Sequence, residues 1–286
     1  MTRARLSPRL LLLALAFTAA CGGPGEDSAA DATPDGERAL RVMSYNIKAG
    51  NRDLMRIAEV IREADPDLVG VQEVDVHFSA RSDFVDQATA LAEALGMHVR
   101  FAHIYDLPPQ TEGAPNRRYG GALLSRYPIV SFENRITPRL STVEEEPAPK
   151  PRPGILDAVV RVGETEVRVL NAHLDYRPDP SVREMQVEAI LGFLDEPDRP
   201  TLLIGDLNAR PEAEELQPLF EVLRDAWAGQ DGPGHTFPSD TPERRIDYVL
   251  HSAHFTVDDA QVLETEASDH RPVLVEMRLA PGGVVR

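Results

Sequence analysis

This 286-residue chain contains one cysteine and one tryptophan, and the cysteine lies at position 21, close to the start. No intramolecular disulfide can form, so the fold must rest on its core. A zinc site built on a Cys/His cluster is also out of reach of the main body of the chain. Positive charge is scarce: 30 Lys and Arg face 47 Asp and Glu, a formal charge of −17. Setting aside Arg3, Arg5 and Arg9 lowers it to −20. Non-specific affinity for nucleic acid comes from basic side chains neutralising phosphates, so this balance counts against a processive nuclease. Its plainest consequence is a well-solvated surface. Nothing repeats at a fixed period, and beyond the first twenty residues no apolar run is long enough to cross a membrane.

The ends are informative. Met1 to Arg9 is basic, Leu10 to Phe17 is apolar, and Thr18-Ala19-Ala20 are small residues before Cys21. That pattern predicts an export signal over residues 1–20, too short for a spanning helix. Cys21 falls where a bacterial lipoprotein carries its lipidated cysteine, although Thr18 departs from the usual large aliphatic residue; an ordinary secretory signal is the alternative. Gly22 to Arg38 is rich in Gly, Ala, Asp, Pro and Ser, so residues 21–39 are expected to be an anchor and flexible tether. Residues 40–282 then form one large domain.

Within that domain, Leu40–Asn46 alternates as a strand, and Asp53 offers an N-cap to a helix with Leu54, Ile57, Ala58 and Ile61 on one face. Leu68–Val71 reads as a buried strand, and Asp83–Leu95 as a helix closed by Gly96. Further strands are expected at Val99–His103, Gly121–Ser125, Ile129–Ile136, Leu156–Val162, Val167–Asn171, Leu202–Ile204, Ile246–Leu250, Val257–Val262 and Pro272–Leu279. Helices are expected at Ser181–Leu194 and near Pro211–Phe220. Glu144–Gly154 reads as a surface loop, and Tyr105–Arg118 and Gly229–Glu243 as pocket loops without a readable code. Helices separate some strands while others follow in hairpin-like runs. The fold class is therefore α/β, with two packed mixed sheets covered by helices.

The chemistry sits at the strand ends. Gly205-Asp206-Leu207-Asn208 follows apolar Leu202–Ile204, and Ser268-Asp269-His270 precedes apolar Val273–Val275. Tyr45-Asn46-Ile47, Gln72-Glu73-Val74, Asn171-Ala172-His173-Leu174-Asp175 and Arg245-Ile246-Asp247-Tyr248 repeat the arrangement. Polar groups at a sheet edge are where a rigid scaffold presents them to a ligand. Each has a bland reading: Asp206 and Asn208 could be a turn pair, Glu73 a solvated acid, and His173 or His270 structural. Glu73 and Asn46 supply hard oxygens, which suit Mg²⁺ or Mn²⁺.

Taken in order with Gly120-Gly121-Ala122-Leu123-Leu124-Ser125-Arg126-Tyr127-Pro128-Ile129, these motifs resemble the endonuclease/exonuclease/phosphatase superfamily over nearly the whole domain. The resemblance implies a four-layer αββα sandwich and metal-dependent hydrolysis of phosphate esters. By analogy Asp206 orients and deprotonates the attacking water and Asn208 positions water or phosphate. His270 meets the phosphoryl oxygens or assists proton transfer, held in its tautomer by Asp247, and His173 acts from the opposite wall. Asn46, Glu73 and Asp269 would hold the metal; Asn171 and Arg152 would contact substrate. Asp175 and Tyr176 are candidates for the pocket lining, whereas Tyr119 and Tyr127 read as packing residues. Two features depart from the family pattern: Gly121 stands where Asn is common, and Arg152-Pro153-Gly154 replaces an Arg-Gly pair. The leading function is a membrane-anchored phosphodiesterase or phosphatase of a small or lipid-linked substrate, the expected partners being that substrate and a membrane, with the protein a monomer. A secreted DNA nuclease and a non-catalytic phosphate-binding lipoprotein are the alternatives.

Overall fold

The computed structural model describes residues 36–281, apart from residue 146 and residues 195–197. The expected export signal, Cys21 and nearly all of the tether lie outside these residues. The first strand, β1 (Arg38–Asn46), starts two residues ahead of the expected domain boundary, with Arg38 and Ala39 paired to Leu279 and Arg278. It is followed by α1 (Leu54–Ala64), β2 (Leu68–Val76), α2 (Gln87–Leu95), β3 (His98–Leu107) and β4 (Arg117–Ser125). Next come β5 (Ile129–Arg139), β6 (Lys150–Val162), β7 (Thr165–His173), α3 (Ser181–Phe193) and β8 (Thr201–Asp206). The chain ends through α4 (Gln217–Val222), β9 (Arg224–Asp225), β10 (Asp247–His251), β11 (Phe255–Val262) and β12 (Val273–Leu279).

Two six-stranded sheets result, in the orders β11-β12-β1-β2-β4-β3 and β5-β6-β7-β8-β10-β9. Each has one parallel pair at its centre, β1–β2 joined through α1 and β7–β8 joined through α3, with antiparallel neighbours around it. The expected mixed, two-sheet sandwich is what forms. Both faces of the central strands are buried, so alternation divides two apolar layers rather than core from solvent. Leu40 and Val42 of β1, Leu68 of β2, Val167 and Val169 of β7, and Leu202 and Ile204 of β8 meet between the sheets. Met43, Tyr45, Val69 and Val71 turn instead to α1 and α2. Leu170 and Leu203 turn to α3 and α4. Burying side chains of this size contributes roughly 1.5–3 kcal/mol each, which replaces what disulfides would supply.

Local chemistry sets the ends of the helices. The Asp53 carboxylate accepts the Arg56 N–H at 3.0 Å and starts α1, and Asp65 in the left-handed region ends it. The helix expected from Asp83 begins only at Gln87, because Asp86 is the N-cap and accepts from Thr89 N. The expected Pro211–Phe220 helix is a 3-10 turn at Glu214–Leu216 running into α4.

Strands extend further than expected in two places. β3 and β4 reach into the presumed Tyr105–Arg118 loop as a hairpin, pairing Leu107 with Arg117. Lys150–Gly154, read as loop, opens β6, with Pro151 and Pro153 facing Pro138 and Ile136 of β5. β5 is an edge strand, and the register shifts between Arg135 and Ile136, which is where a sheet tolerates residues lacking an N–H. Among the described residues no helix is long and apolar enough to cross a membrane.

Candidate active site

The alternation that builds the inter-sheet core runs on past its end and becomes polar. On β1 the inward positions are Leu40, Val42, Ser44 and Asn46; on β7 they are Val167, Val169, Asn171 and His173; on β8, Leu202, Ile204 and Asp206. Both parallel pairs deliver these side chains to the same edge. Glu73 has the opposite parity on β2 and would face α1 and α2 in a regular strand. Its φ of +58° and the register shift between Val71 and Val74 form a bulge that turns it into the site instead. Asn208 also has a positive φ, +51°. Left-handed backbone at residues other than glycine is a strain that tends to gather at functional sites.

Asp206 is the hub, 1% exposed. Its Oδ2 accepts from Asn46 Nδ2 at 2.9 Å and lies 3.7 Å from both His173 Nε2 and His270 Nε2. Its Oδ1 accepts the backbone N–H of Asn208 at 2.9 Å, so Asp206 and Asn208 do form the turn pair that their types allow. Asn208 Nδ2 donates to Leu174 O at 3.1 Å. Asn46 Nδ2 also donates to Glu73 Oε1 at 3.1 Å, and its Oδ1 accepts from Lys48 N. Asp247 Oδ2 sits 2.8 Å from His270 Nδ1 and accepts from Thr236 Oγ1 at 2.6 Å. Asp269 pairs with Lys48 Nζ at 2.8 Å.

Electrostatics divides the roles. Burial, then the charge of Asp247, raises the proton affinity of Asp206. A carboxylate so placed is suited to take a proton from water near neutral pH. For His270 burial works against the cation, but Asp247 and Asp206 outweigh it and push the imidazole up to about 10. The two carboxylates favour the protonated ring, which can donate to a phosphoryl oxygen or leaving group from the side facing Asp206. Phe237 packs against its ring, tilted by 54° with centroids 4.7 Å apart, and the Arg244 guanidinium lies 4.6 Å from the Phe237 ring centroid.

The donor set fits a hard divalent cation. Glu73, Asp206, Asp247 and Asp269 crowd carboxylates together, and Asp247 Oδ1 is buried with no hydrogen-bond partner. Asp206 and Asp247 lie with the His270 imidazole within 4.8 Å of one another, and His270 would join the ligands only in its neutral form. Glu73 and Asp206 meanwhile converge on Asn46 Nδ2; to ligate a cation at that point Asn46 would present its oxygen. Oxygen-rich sites of this kind suit Mg²⁺ or Mn²⁺ better than zinc. A bound cation would neutralise charge developing on the phosphoryl oxygens.

A cavity of about 550 Å³ is lined by Glu73, His173, Asp206, Asn208, Asp269 and His270. Asp175 and Tyr176 line it as well. Two expected substrate contacts are corrected. Arg152 is not in the cavity wall; its guanidinium pairs with Glu144 beside Lys150. Asn171 is 2% exposed and fully engaged between the sheets, accepting from Gln72 Nε2 at 2.7 Å and donating to Val71 O and Ala122 O at 2.9 Å. It fills the space over Gly121, where a Cβ would come within 3.1 Å of its Nδ2. Tyr127 packs between the sheets as expected, whereas Tyr119 lines the cavity.

Sequence reasoning missed the cations. Arg81, Arg139, Arg177 and Arg244 all line the cavity. Arg81 pairs with Asp75 at 2.7 Å and Arg177 with Asp175. Only Arg244 carried a signal, its closeness to Asp247; the others sit in segments without a pattern.

Comparisons with known proteins agree with this geometry. Residues 43–270 match the Endonuclease/Exonuclease/phosphatase family. YbhP of Escherichia coli is 28% identical over 257 residues, 84% of this chain and 96% of that protein. An endonuclease/exonuclease/phosphatase structure from Beutenbergia cavernae superposes with a TM-score of 0.72 at 29% identity, covering 86% of this chain and 72% of that one. A Bacteroides thetaiotaomicron mannosyl-6-phosphatase shares the fold, with a TM-score of 0.63 at 22% identity over 83% of this chain and 99% of that one. With four carboxylates and two histidines gathered at the common edge of two sheets, the chain belongs to the Endonuclease/Exonuclease/phosphatase family, enzymes that hydrolyse phosphoesters with a divalent metal.

Proposed function

We propose that the protein is an exported, membrane-anchored, Mg²⁺- or Mn²⁺-dependent hydrolase of a small or lipid-linked phosphomonoester or phosphodiester. The observation that carries the reading is the cavity itself. Its 550 Å³ lies in the range of small-ligand pockets, and carboxylates, histidines and arginines line it together. Asp206 handles the proton of the attacking water, His270 and His173 face the phosphoryl oxygens, and Glu73 with Asn46 and Asp269 holds the cation.

Charge favours a small substrate over duplex DNA. The chain carries −17, and two arginines near the motifs are paired with acids: Arg152 with Glu144, and Arg126 with Asp65 and Asp67. Export and anchoring rest on the first 21 residues, with Cys21 as the lipidated residue and a tether that lets a monomeric domain sample the space beside the membrane.

The test is hydrolysis of generic phosphomonoesters and phosphodiesters by the purified domain with Mg²⁺, with Mn²⁺ and with chelator, beside Glu73→Gln. Reversible loss in chelator and loss of at least about 10²-fold in Glu73→Gln are expected. Full activity in chelator overturns the metal requirement. A tenfold preference for duplex DNA over small esters at matched salt would replace this substrate reading with the nuclease.

A further inference from the structure

Arg139, the last residue of β5, is 7% exposed, and among the described residues no carboxylate is paired with it. Its Nη1 donates to His173 O at 3.0 Å and its Nη2 to Gly154 O at 3.1 Å. Its Nε is buried with no partner. Asp175, the acid whose charge reaches it, is taken up by Arg177. Two carbonyls offset only part of the cost of burying a cation. Burial accordingly pulls the guanidinium down to about 10, still protonated at neutral pH.

The chain makes room for this group. Gly154 has a φ of +135°, and a Cβ there would come within 3.1 Å of Arg139 Nε and 2.4 Å of Ile104 Cγ1. Arg139 lines the cavity beside Ile104, Tyr105, Leu140 and Thr142. Tyr105 Oη bonds Thr142 through both its N–H, at 2.8 Å, and its Oγ1, at 2.9 Å, and so fixes this wall. His173 stands between the two groups: its imidazole faces Asp206 and its carbonyl accepts from Arg139.

We propose that Arg139 is a second oxyanion subsite, so that the substrate is a phosphoester bearing a further phosphate or carboxylate. This rests on the phosphoester reading above. The cavity is much larger than one phosphoryl group, and the acid-rich wall repels a second anion that carries no cation with it. The buried guanidinium attracts that group, so the ester is held with its scissile phosphate toward Asp206 and its other charge toward Arg139. With Nε enclosed and one N–H of each Nη taken by a carbonyl, the second N–H groups of Nη1 and of Nη2 are the donors left for an oxyanion.

The experiment compares kcat/KM for glucose 6-phosphate, glucose 1,6-bisphosphate and 6-phosphogluconate in wild type, Arg139→Gln and Arg139→Lys. Wild type is expected to prefer at least one doubly anionic ester by about tenfold or more, the size of a charge-assisted hydrogen bond. Preference for the bisphosphate identifies a phosphate and preference for 6-phosphogluconate a carboxylate. In Arg139→Gln the preference collapses toward one, mainly through KM, and Arg139→Lys retains part of it. Absence of any preference in wild type overturns the proposal, as does an equal loss on all three esters in Arg139→Gln.

Calorimetry with inorganic phosphate in chelator gives a readout that needs no turnover. Wild type is expected to bind, and Arg139→Gln to bind about tenfold more weakly. Equal binding by the two, or none, overturns the subsite. Phosphate binding through Arg139 without hydrolysis of any ester would sink the enzymatic reading and leave the subsite standing.

Discussion

Asp247 Oδ2 lies 2.8 Å from His270 Nδ1, so the imidazole has one nitrogen fixed from behind and the other directed at Asp206. Thr236 Oγ1 donates to the same oxygen, and its backbone pairs with Arg244, which ties the loop before β10 to the pair. This geometry suits Asp247 to a positioning role, acting on the reaction through His270.

Asp247→Asn keeps the size of the side chain but removes the charge that holds His270 as a cation. A fall in kcat of roughly 10²-fold with KM changed less than about threefold is expected. The companion Thr236→Val should cost less, on the order of tenfold. Steady-state kinetics decides, and an unchanged kcat in Asp247→Asn would show that His270 orients itself without help.

If Asp206 and His270 serve the water and the phosphoryl charge as proposed, they act in the transition state rather than in ground-state binding. Asp206→Asn and His270→Ala should each lower kcat by roughly 10² to 10⁴, with KM little changed. A pure rise in KM for either would reassign it to substrate binding.

Asn171 is a brace, and its loss should be read in stability. Asn171→Leu leaves Gln72 Nε2 and the carbonyls of Val71 and Ala122 without this partner between the sheets. Destabilisation of about 2–4 kcal/mol is expected in urea unfolding. A midpoint unchanged from wild type would mean that the facing sheets do not depend on this amide.

Asp157 controls stability in acid. Burial alone would raise it, but the guanidinium groups of Arg168 and Arg135 bond it and hold it below the usual carboxylate range. A depressed carboxylate contributes stability above its unfolded pKa, and that contribution is lost as pH falls through the folded value. The difference in melting temperature between wild type and Asp157→Asn should therefore be full at pH 5 to 7 and shrink below about pH 4. A difference that persists undiminished at pH 2 would contradict the ion network.

Much of the site was legible because polarity interrupts strands that are otherwise apolar. Asn46, Glu73, His173, Asp206, Asp247 and His270 all stand beside such runs, and the fold gathers all six. Asn171 misled for a reason that parity could have revealed. It lies inside β7, two residues short of the strand end, at a position that alternates with Val167 and Val169 and so points between the sheets. Arg152 misled because it was placed in a loop, whereas it lies in β6 near the edge of its sheet, beside Glu144. Arg139 left no trace, since β5 is an edge strand with mixed burial and no clear alternation.

The parity shared by Ile204 and Asp206, and by Val42 and Asn46, makes the apolar layer a ruler. Its thickness sets how far Asn46 and Glu73, carried by one sheet, stand from Asp206 and His173, carried by the other. Because that layer is packed like a solid, a methylene gained or lost at Val42 or Ile204 would be transmitted to the catalytic gap. Residues that never touch substrate thereby help set the calibration of the enzyme, and turnover should respond to their size before the fold gives way.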